Sequence, residues 1–295
     1  MINDMTEIIF FGDDQYSAIV LKKLIIHISN VSVVTKQFAS NPVEELAKMY
    51  NLALSYYPEI PVIGKNTLGV LASFGYILRP ELINQFGENG ILCLHPSLLP
   101  EYRGSTPAQH TIALGDATTG VTLFHLTSRV DEGKILAQTQ DNILPEDTTP
   151  TLLTRLFSLG SSLLINWLSG KSTLLSTNPN SQDNTYTRKF TRDTGYIEWQ
   201  TLQKLINNQP ILPKDTINQL LSFRLQKNPT NHTSTYLIDL FRALTPWPGV
   251  WTVAKTNKGD VRLSVESVYP SIMVKIAGKP NAIVLSQFMR YYQQI

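Results

Sequence analysis

A mostly parallel α/β sheet, followed by a small separate β-barrel-like region, is the fold class that this 295-residue sequence predicts. Three observations carry the prediction. Short apolar runs alternate with helically spaced apolar residues through the first half, which is the βαβα rhythm of a parallel sheet. The rhythm stops in a stretch rich in Ser, Thr, Asn and Gln, from Ser172 to Asp193. Beyond it, helical segments give way to short β-like runs separated by polar turns, the pattern of a small barrel or sandwich. Length also favours two domains, because single hydrophobic cores stop growing near ~250 residues.

Taken in order, Ile8-Ile9-Phe10-Phe11 is an apolar run closed by Gly12, and Leu21, Leu24, Ile25 and Ile28 follow at helical spacing. This reads as strand, turn, helix. Val31 to Val34 is a second buried strand, and Pro42 to Asn51 is a helix with proline in its first turn and Val43, Leu46, Ala47 and Tyr50 on one face. Leu68 to Phe74 and Ile91 to Leu94 are further strands, ending at Gly75 and at His95-Pro96. In open α/β sheets ligands gather beyond the carboxyl ends of the strands, so Phe74-Gly75 and the His95 segment are expected near each other. A helix over Pro107 to Leu114, strands over Val121 to Leu126 and Lys134 to Gln140, and a helix from Thr149 to Leu168 complete the first half. Residues 1–175 are assigned to the first domain, 176–200 to a linker and 201–295 to the second domain. Within the last, helix is expected near Thr201 to Gln226, with strands over Val250 to Ala254, Val261 to Val268, Ile272 to Ile276 and Ala282 to Gln287.

Bulk properties exclude several classes of protein. Apolar residues make up 42% and charged residues 16%, enough hydrophobicity for a packed core and too little charge for a disordered chain. A net charge of +2 means that a nucleic-acid partner would have to be met by a local basic patch. One cysteine excludes an internal disulfide framework, and the start MINDMTEIIFFG lacks the basic region and apolar core of a secretion signal. No run reaches the ~18 apolar residues of a membrane helix. A cytoplasmic, soluble protein with no membrane partner is expected.

The most informative segment runs from Leu92 to Gly104, LCLHPSLLPEYRG, and sets His95 at a strand end. Pro96 and Pro100 stiffen the turn, so the backbone between them suits a planar heterocycle. Taken alone, His95 reads more readily as an exposed histidine in an ordinary proline-rich surface turn. Asp131-Glu132-Gly133 by itself is only a turn. An aspartate within reach of His95 would fix its tautomer and complete a proton-transfer pair. His110 and His125 make no metal-ligand spacing, and the single glycine of Phe11-Gly12-Asp13-Asp14 is no dinucleotide fingerprint, so neither a metal nor a nicotinamide cofactor is expected.

The ordered series of strand, His-Pro-Ser-Leu-Leu-Pro, Arg-Gly, Pro, Gly-Asp, Thr-Gly-Val-Thr and Asp-x-Gly, spread over residues 91–133, resembles the folate-dependent formyltransferases. The resemblance implies a Rossmann-like formyltransferase domain and an OB-like barrel after it. It implies 10-formyltetrahydrofolate as co-substrate. His95 and Asp131 fall on the family's catalytic His and Asp positions, Ser97, Leu98, Leu99 and Pro100 on its folate-binding loop, and Phe74, Gly75 and Tyr76 on its apolar wall for the pterin. Cys93 stands where the family carries a catalytic asparagine, two residues before the histidine. That removes an amide donor from the site, and a thiol donates weakly. A nucleophilic thiol is a separate reading, though a lone cysteine in an apolar strand is more often inert packing.

The second half resembles the tRNA-directed branch, whose acceptor is the amino group of methionine on charged initiator tRNA. Thr185-Tyr186-Thr187-Arg188-Lys189 with Gly195-Tyr196-Ile197-Glu198-Trp199, and Phe241 to Thr252, carry this resemblance. It implies a tRNA partner for Arg188, Lys189, Arg192 and Arg242, which with Lys255 and Lys258 would form a basic strip for phosphates. Trp247 and Trp251, with their apolar and proline neighbours, are expected to be buried anchors. A monomer is expected. Two departures stand out: the basic loop between Thr35 and Pro42 is reduced to six residues, and about 35 residues between Trp199 and Tyr236 look inserted. A catalytically weak or inactive relative that binds RNA or folate, and a sugar-amine N-formyltransferase, remain as alternatives.

Overall fold

The computed structural model describes residues 6–171, 186–212, 216, 218–227 and 233–292. The chain divides into two compact units. Met1–Pro107, Thr118–Asn142 and Thr151–Thr187 make the first, and Ala108–Ala117, Ile143–Pro150 and Arg188–Ile295 make the second. Two short segments of the first half thus group with the carboxy-terminal unit. Of the stretch assigned to a linker, 176–185 lies outside the described residues.

Along the chain run β1 (Glu7–Phe11), α1 (Gln15–His27), β2 (Val31–Thr35), α2 (Pro42–Met49), β3 (Ala53–Tyr56), β4 (Thr67–Ala72), α3 (Pro80–Gln85), β5 (Ile91–His95) and β6 (Arg103–Gly104). Then come α4 (Pro107–Leu114), β7 (Thr118–His125), β8 (Ile135–Asn142), α5 (Thr149–Leu168) and β9 (Tyr186–Thr187). Helix starts are made by side chains that accept the first free amides. Asp14 accepts from Tyr16 N and Ser17 N at the head of α1, and Asn41 accepts from Val43 N and Glu44 N at the head of α2, where Pro42 supplies a preset φ.

Seven strands form one sheet in the order β3-β2-β1-β4-β5-β7-β8. β1 to β5 are mutually parallel, while β7 runs antiparallel to β5 and β8 antiparallel to β7. Strand order reverses between β1 and β4, which places a topological switch point beside the carboxyl ends of β1, β4 and β5. Alternation splits the core in two. Ile8, Phe10, Val70, Leu92 and Leu94 face a cluster that includes Leu21, Leu24, Phe157 and Leu164, whereas Ile9, Phe11 and Ile91 face Leu82 and Phe86. β2 and β5, buried throughout, and β1, buried from Ile8 onward, match the apolar runs read from the sequence.

In the second unit, α6 (Trp199–Ile206), α7 (Gln219–Lys227) and α8 (Thr233–Leu244) precede β10 (Val250–Thr256), β11 (Gly259–Ser267), β12 (Met273–Ile276) and β13 (Ala282–Val284), and α9 (Leu285–Tyr292) follows. The four strands form an antiparallel sheet in sequence order. The strand expected to reach Gln287 ends at Val284, because Leu285 and Phe288 turn to the core at helical spacing and begin α9. Trp247 is not the buried anchor expected of it: it is 57% exposed. Trp251 is partly covered, donating from Nε1 to Arg192 O at 2.9 Å beneath the Arg262 guanidinium 4.1 Å from its ring. Among the described residues no helix is long and apolar enough to cross a membrane.

Candidate active site

His95 is the last residue of β5, and strand alternation puts it on the same face as Ile91 and Cys93. It is buried, and Nε2 lies 2.9 Å from the carbonyl oxygen of Tyr102. A carbonyl only accepts, so this bond assigns the proton to Nε2. A neutral ring then carries its lone pair on Nδ1, and Nδ1 faces Asp131 Oδ2 at 3.6 Å. That separation is too long for a direct hydrogen bond and suits electrostatic pairing once Nδ1 takes up a proton. Asp131 is also held by the backbone, the same oxygen accepting from Gly104 N at 2.7 Å. Its φ of +53° lies in the left-handed region, rare for a residue with a Cβ. Histidine and aspartate, 36 positions apart in the chain, thus meet at the carboxyl end of β5.

Cys93 is buried with Leu99, Phe124 and Ile135 around it. Burial pushes its thiol well above the usual thiol range, and the Asp131 charge adds to the push. The sulfur therefore stays protonated at neutral pH, which leaves a weak S–H donor and no thiolate nucleophile.

The loop after His95 is fastened to the neighbouring hairpin. Ser97 Oγ donates to Glu101 O at 2.7 Å, and Thr122 Oγ1 donates to Ser97 O at 2.6 Å while accepting from Leu99 N at 3.0 Å. Gln138 Nε2 donates to Leu99 O at 2.8 Å and to Thr122 Oγ1 at 2.9 Å. Leu98 lies against Gly120, where a Cβ would come within 2.5 Å of it. Ser97 and Leu99 are therefore held by Thr122, the last residue of the Thr-Gly-Val-Thr motif, and by Gln138, which the sequence did not single out. The loop that these two side chains meet was not legible from the sequence.

β4 and β5 pair Ala72 with Leu94, so Phe74-Gly75 and His95 leave adjacent strands at the same end of the sheet, as the ligand-crevice rule led us to expect. Phe74 meets Phe11, Tyr57 and Tyr76 edge-on at 5.9, 5.7 and 5.7 Å. Tyr76 stacks on Tyr57 at 4.9 Å, and Lys36 Nζ sits 4.6 Å from the Tyr76 ring while pairing with Asp13 at 2.9 Å. Gly75 N donates to the same Asp13 carboxylate. A Cβ at Gly75 would fall 2.1 Å from Lys36 Nζ, so a side chain there would displace the ammonium from Asp13 and from the Tyr76 ring. Asp14 closes this end of the sheet with Ser73, and burial raises its carboxyl above the usual range against the pull of the Ser73 hydroxyl.

In the second unit, Arg188, Lys189 and Arg192 are exposed. Arg242 differs from them. Its guanidinium donates to the carbonyls of Leu144 and Pro145 and pairs with Asp239 at 3.6 Å, with its side chain only 12% exposed. Its charge is spent inside the unit, which separates it from a phosphate-facing strip. Among the described residues no group of three or more His, Cys, Asp or Glu side chains is arranged to hold a metal ion.

Residues 63–168 match a family described as formyl transferase. A methionyl-tRNA formyltransferase of Listeria monocytogenes serotype 4b is 30% identical over 301 residues, covering 95% of this chain and 84% of the relative. One from Dehalococcoides mccartyi is 34% identical over 186 residues, 62% of this chain. The chain spans about half of that relative's length, 49%. Among solved structures, a sugar 3N-formyl transferase superposes with a TM-score of 0.60 at 14% identity, covering 93% of this chain and 99% of the other. An N-formyltransferase of Helicobacter canadensis, in complex with folinic acid and dTDP-3-aminofucose, superposes with a TM-score of 0.60 at 17% identity, covering 91% and 92%. At such identities the two structures speak for the fold alone.

Proposed function

The chain belongs to the methionyl-tRNA formyltransferase family, and from that premise we propose that it transfers a formyl group from 10-formyltetrahydrofolate to the methionine amino group of charged initiator tRNA. The observation that carries the reading is the opposition of His95 Nδ1 and Asp131 Oδ2 at 3.6 Å, at the sheet end where β4 and β5 also present the Phe74–Tyr76 wall and the Ser97–Pro100 loop.

In this mechanism the amine nitrogen attacks the formyl carbon, a tetrahedral oxyanion forms, and the bond from that carbon to the folate N10 breaks. The attacking amine must lose a proton and N10 must gain one. His95 accepts and returns the proton through Nδ1, because Nε2 is committed to Tyr102 O. Asp131 orients the ring and balances the charge that develops on it. The Cys93 S–H is the weak donor toward the oxyanion, where an amide would serve better. Leu98, Leu99 and the aromatic wall exclude water from the pterin, and Ser97 to Pro100 hold it in place. Arg188, Lys189 and Arg192 meet tRNA phosphates, and the expected partners are folate and charged tRNA alone.

The family's alternative acceptor, the sugar amine, sets the test. Purified protein is incubated with 10-formyltetrahydrofolate and, separately, charged initiator tRNA and an amino-sugar nucleotide. Formyl-methionine is the expected product, and the amino sugar should remain unmodified. Formylation of the sugar alone, or folate binding with no product from either acceptor while a control enzyme turns over, would contradict the proposal.

A further inference from the structure

Beside the His95–Asp131 pair lies a second set of charged side chains that the chemistry above does not use. Arg103 is the largest fully buried side chain of the described residues, 2% exposed, and its Nε has no hydrogen-bond partner among them. Its Nη1 lies 3.5 Å from Glu132 Oε1 and donates to the Tyr186 hydroxyl at 3.2 Å. That hydroxyl donates in turn to Glu132 Oε1 at 2.5 Å. Tyr186 and Arg103 together hold the Glu132 carboxyl below the usual range, the tyrosine hydroxyl contributing most.

The placement of this cluster is specific. Arg103 and Glu132 are the immediate chain neighbours of Gly104 and Asp131, so the ion pair runs beside the Gly104 N to Asp131 Oδ2 bond as a second cross-link between the same two loops. β9 locks the arrangement from the other side. Arg103 and Gly104 pair with Tyr186 and Thr187, Thr187 Oγ1 donates to Arg103 O at 2.9 Å, and Thr106 N donates to Thr187 Oγ1 at 3.1 Å. A Cβ at Gly104, whose φ is +100°, would come 2.5 Å from Thr187 O. Asp131 itself sits at positive φ, a conformation that persists only when its surroundings over-determine it.

We propose that Tyr186, Arg103 and Glu132 form a positioning network that holds Asp131 at its distance from His95. The inference rests on the reading of His95 and Asp131 as the proton-handling pair. The proposed chemistry gives none of the three a contact with substrate. They act through Asp131, and Glu132 gives Arg103 a counter-charge that leaves the neighbouring carboxylate facing the imidazole.

The test uses Tyr186→Phe and Glu132→Gln in the full chain, since both side chains are partly exposed and both changes conserve shape. Each variant is expected to lower kcat about tenfold, with KM for folate and acceptor moving less than about twofold, because misplacing a catalytic group slows the step without weakening binding. A second readout needs no turnover. The ¹⁵N resonance of His95 Nδ1 is compared in wild type, the two variants and Asp131→Asn. Both variants should move it in the direction of the Asp131→Asn change. An unmoved Nδ1 resonance in both variants, no change on Asp131→Asn, or a kcat within twofold of wild type would overturn the network. If the wild type forms no formyl-methionine, the functional reading fails while the resonance comparison still decides the positioning claim.

Discussion

Replacing His95 with alanine should lower kcat/KM for formyl transfer by about 10²–10⁴-fold, the range that a positioned acid–base group supplies. The imidazole has one nitrogen tied to a carbonyl and the other aimed at a carboxylate. Alanine keeps the strand and deletes both contacts. The lost bond to Tyr102 O costs about 1 kcal/mol, so the thermal midpoint should fall only modestly while turnover collapses. A single-turnover assay with folate bound in advance separates the two effects. An unchanged single-turnover rate would remove His95 from the chemistry.

Replacing Cys93 with asparagine should act in the opposite direction and raise the rate, by up to about 10²-fold. Removing one oxyanion donor from an enzyme typically costs about 10²–10³ in kcat, and Cys93 stands where the resemblance implies an amide. Position 93 pairs with Leu71 on β4 and Phe124 on β7, and its side chain packs among apolar neighbours. An amide there costs about 1–3 kcal/mol where its hydrogen bonds are incomplete. A faster, less stable enzyme is therefore expected, read by kcat and by thermal midpoint. A fall in rate would show that the sulfur has a role of its own, against the raised thiol that burial and Asp131 impose.

Much of this was legible in the sequence because it depends on local periodicity. The apolar runs at β1, β2, β4 and β5 announced buried parallel strands, and Thr149–Leu168 is helical over the residues its spacing predicted. β3 escaped because Ala53–Tyr56 is half exposed at the sheet edge and carries no apolar run. α9 escaped for a different reason: Leu285 and Phe288 are three apart, a spacing too short to distinguish a helix from the end of a strand. Trp247 was misread because aromatic and proline neighbours mark a turn as readily as a core.

The site was legible only in part. His95 and Asp131 could be named from an ordered motif, yet their 3.6 Å approach arises from the antiparallel β5–β7 pairing and the turn after β7, neither of which spacing can fix. Tyr102 contributes only a backbone carbonyl, which no residue type announces. Tyr186 reaches the site from 54 positions beyond Glu132, through a two-residue strand too short for any periodicity. Arg242 was read as a surface charge because its carbonyl partners lie about 97 residues away.

The pair itself is tested most directly by single-turnover formylation of charged initiator tRNA with His95→Ala, Asp131→Asn and the double variant. Groups that act as one unit lose their effect together. The double variant should therefore be no more than about threefold slower than the slower single variant. Losses that multiply across the two positions would contradict a shared role for the imidazole and the carboxylate.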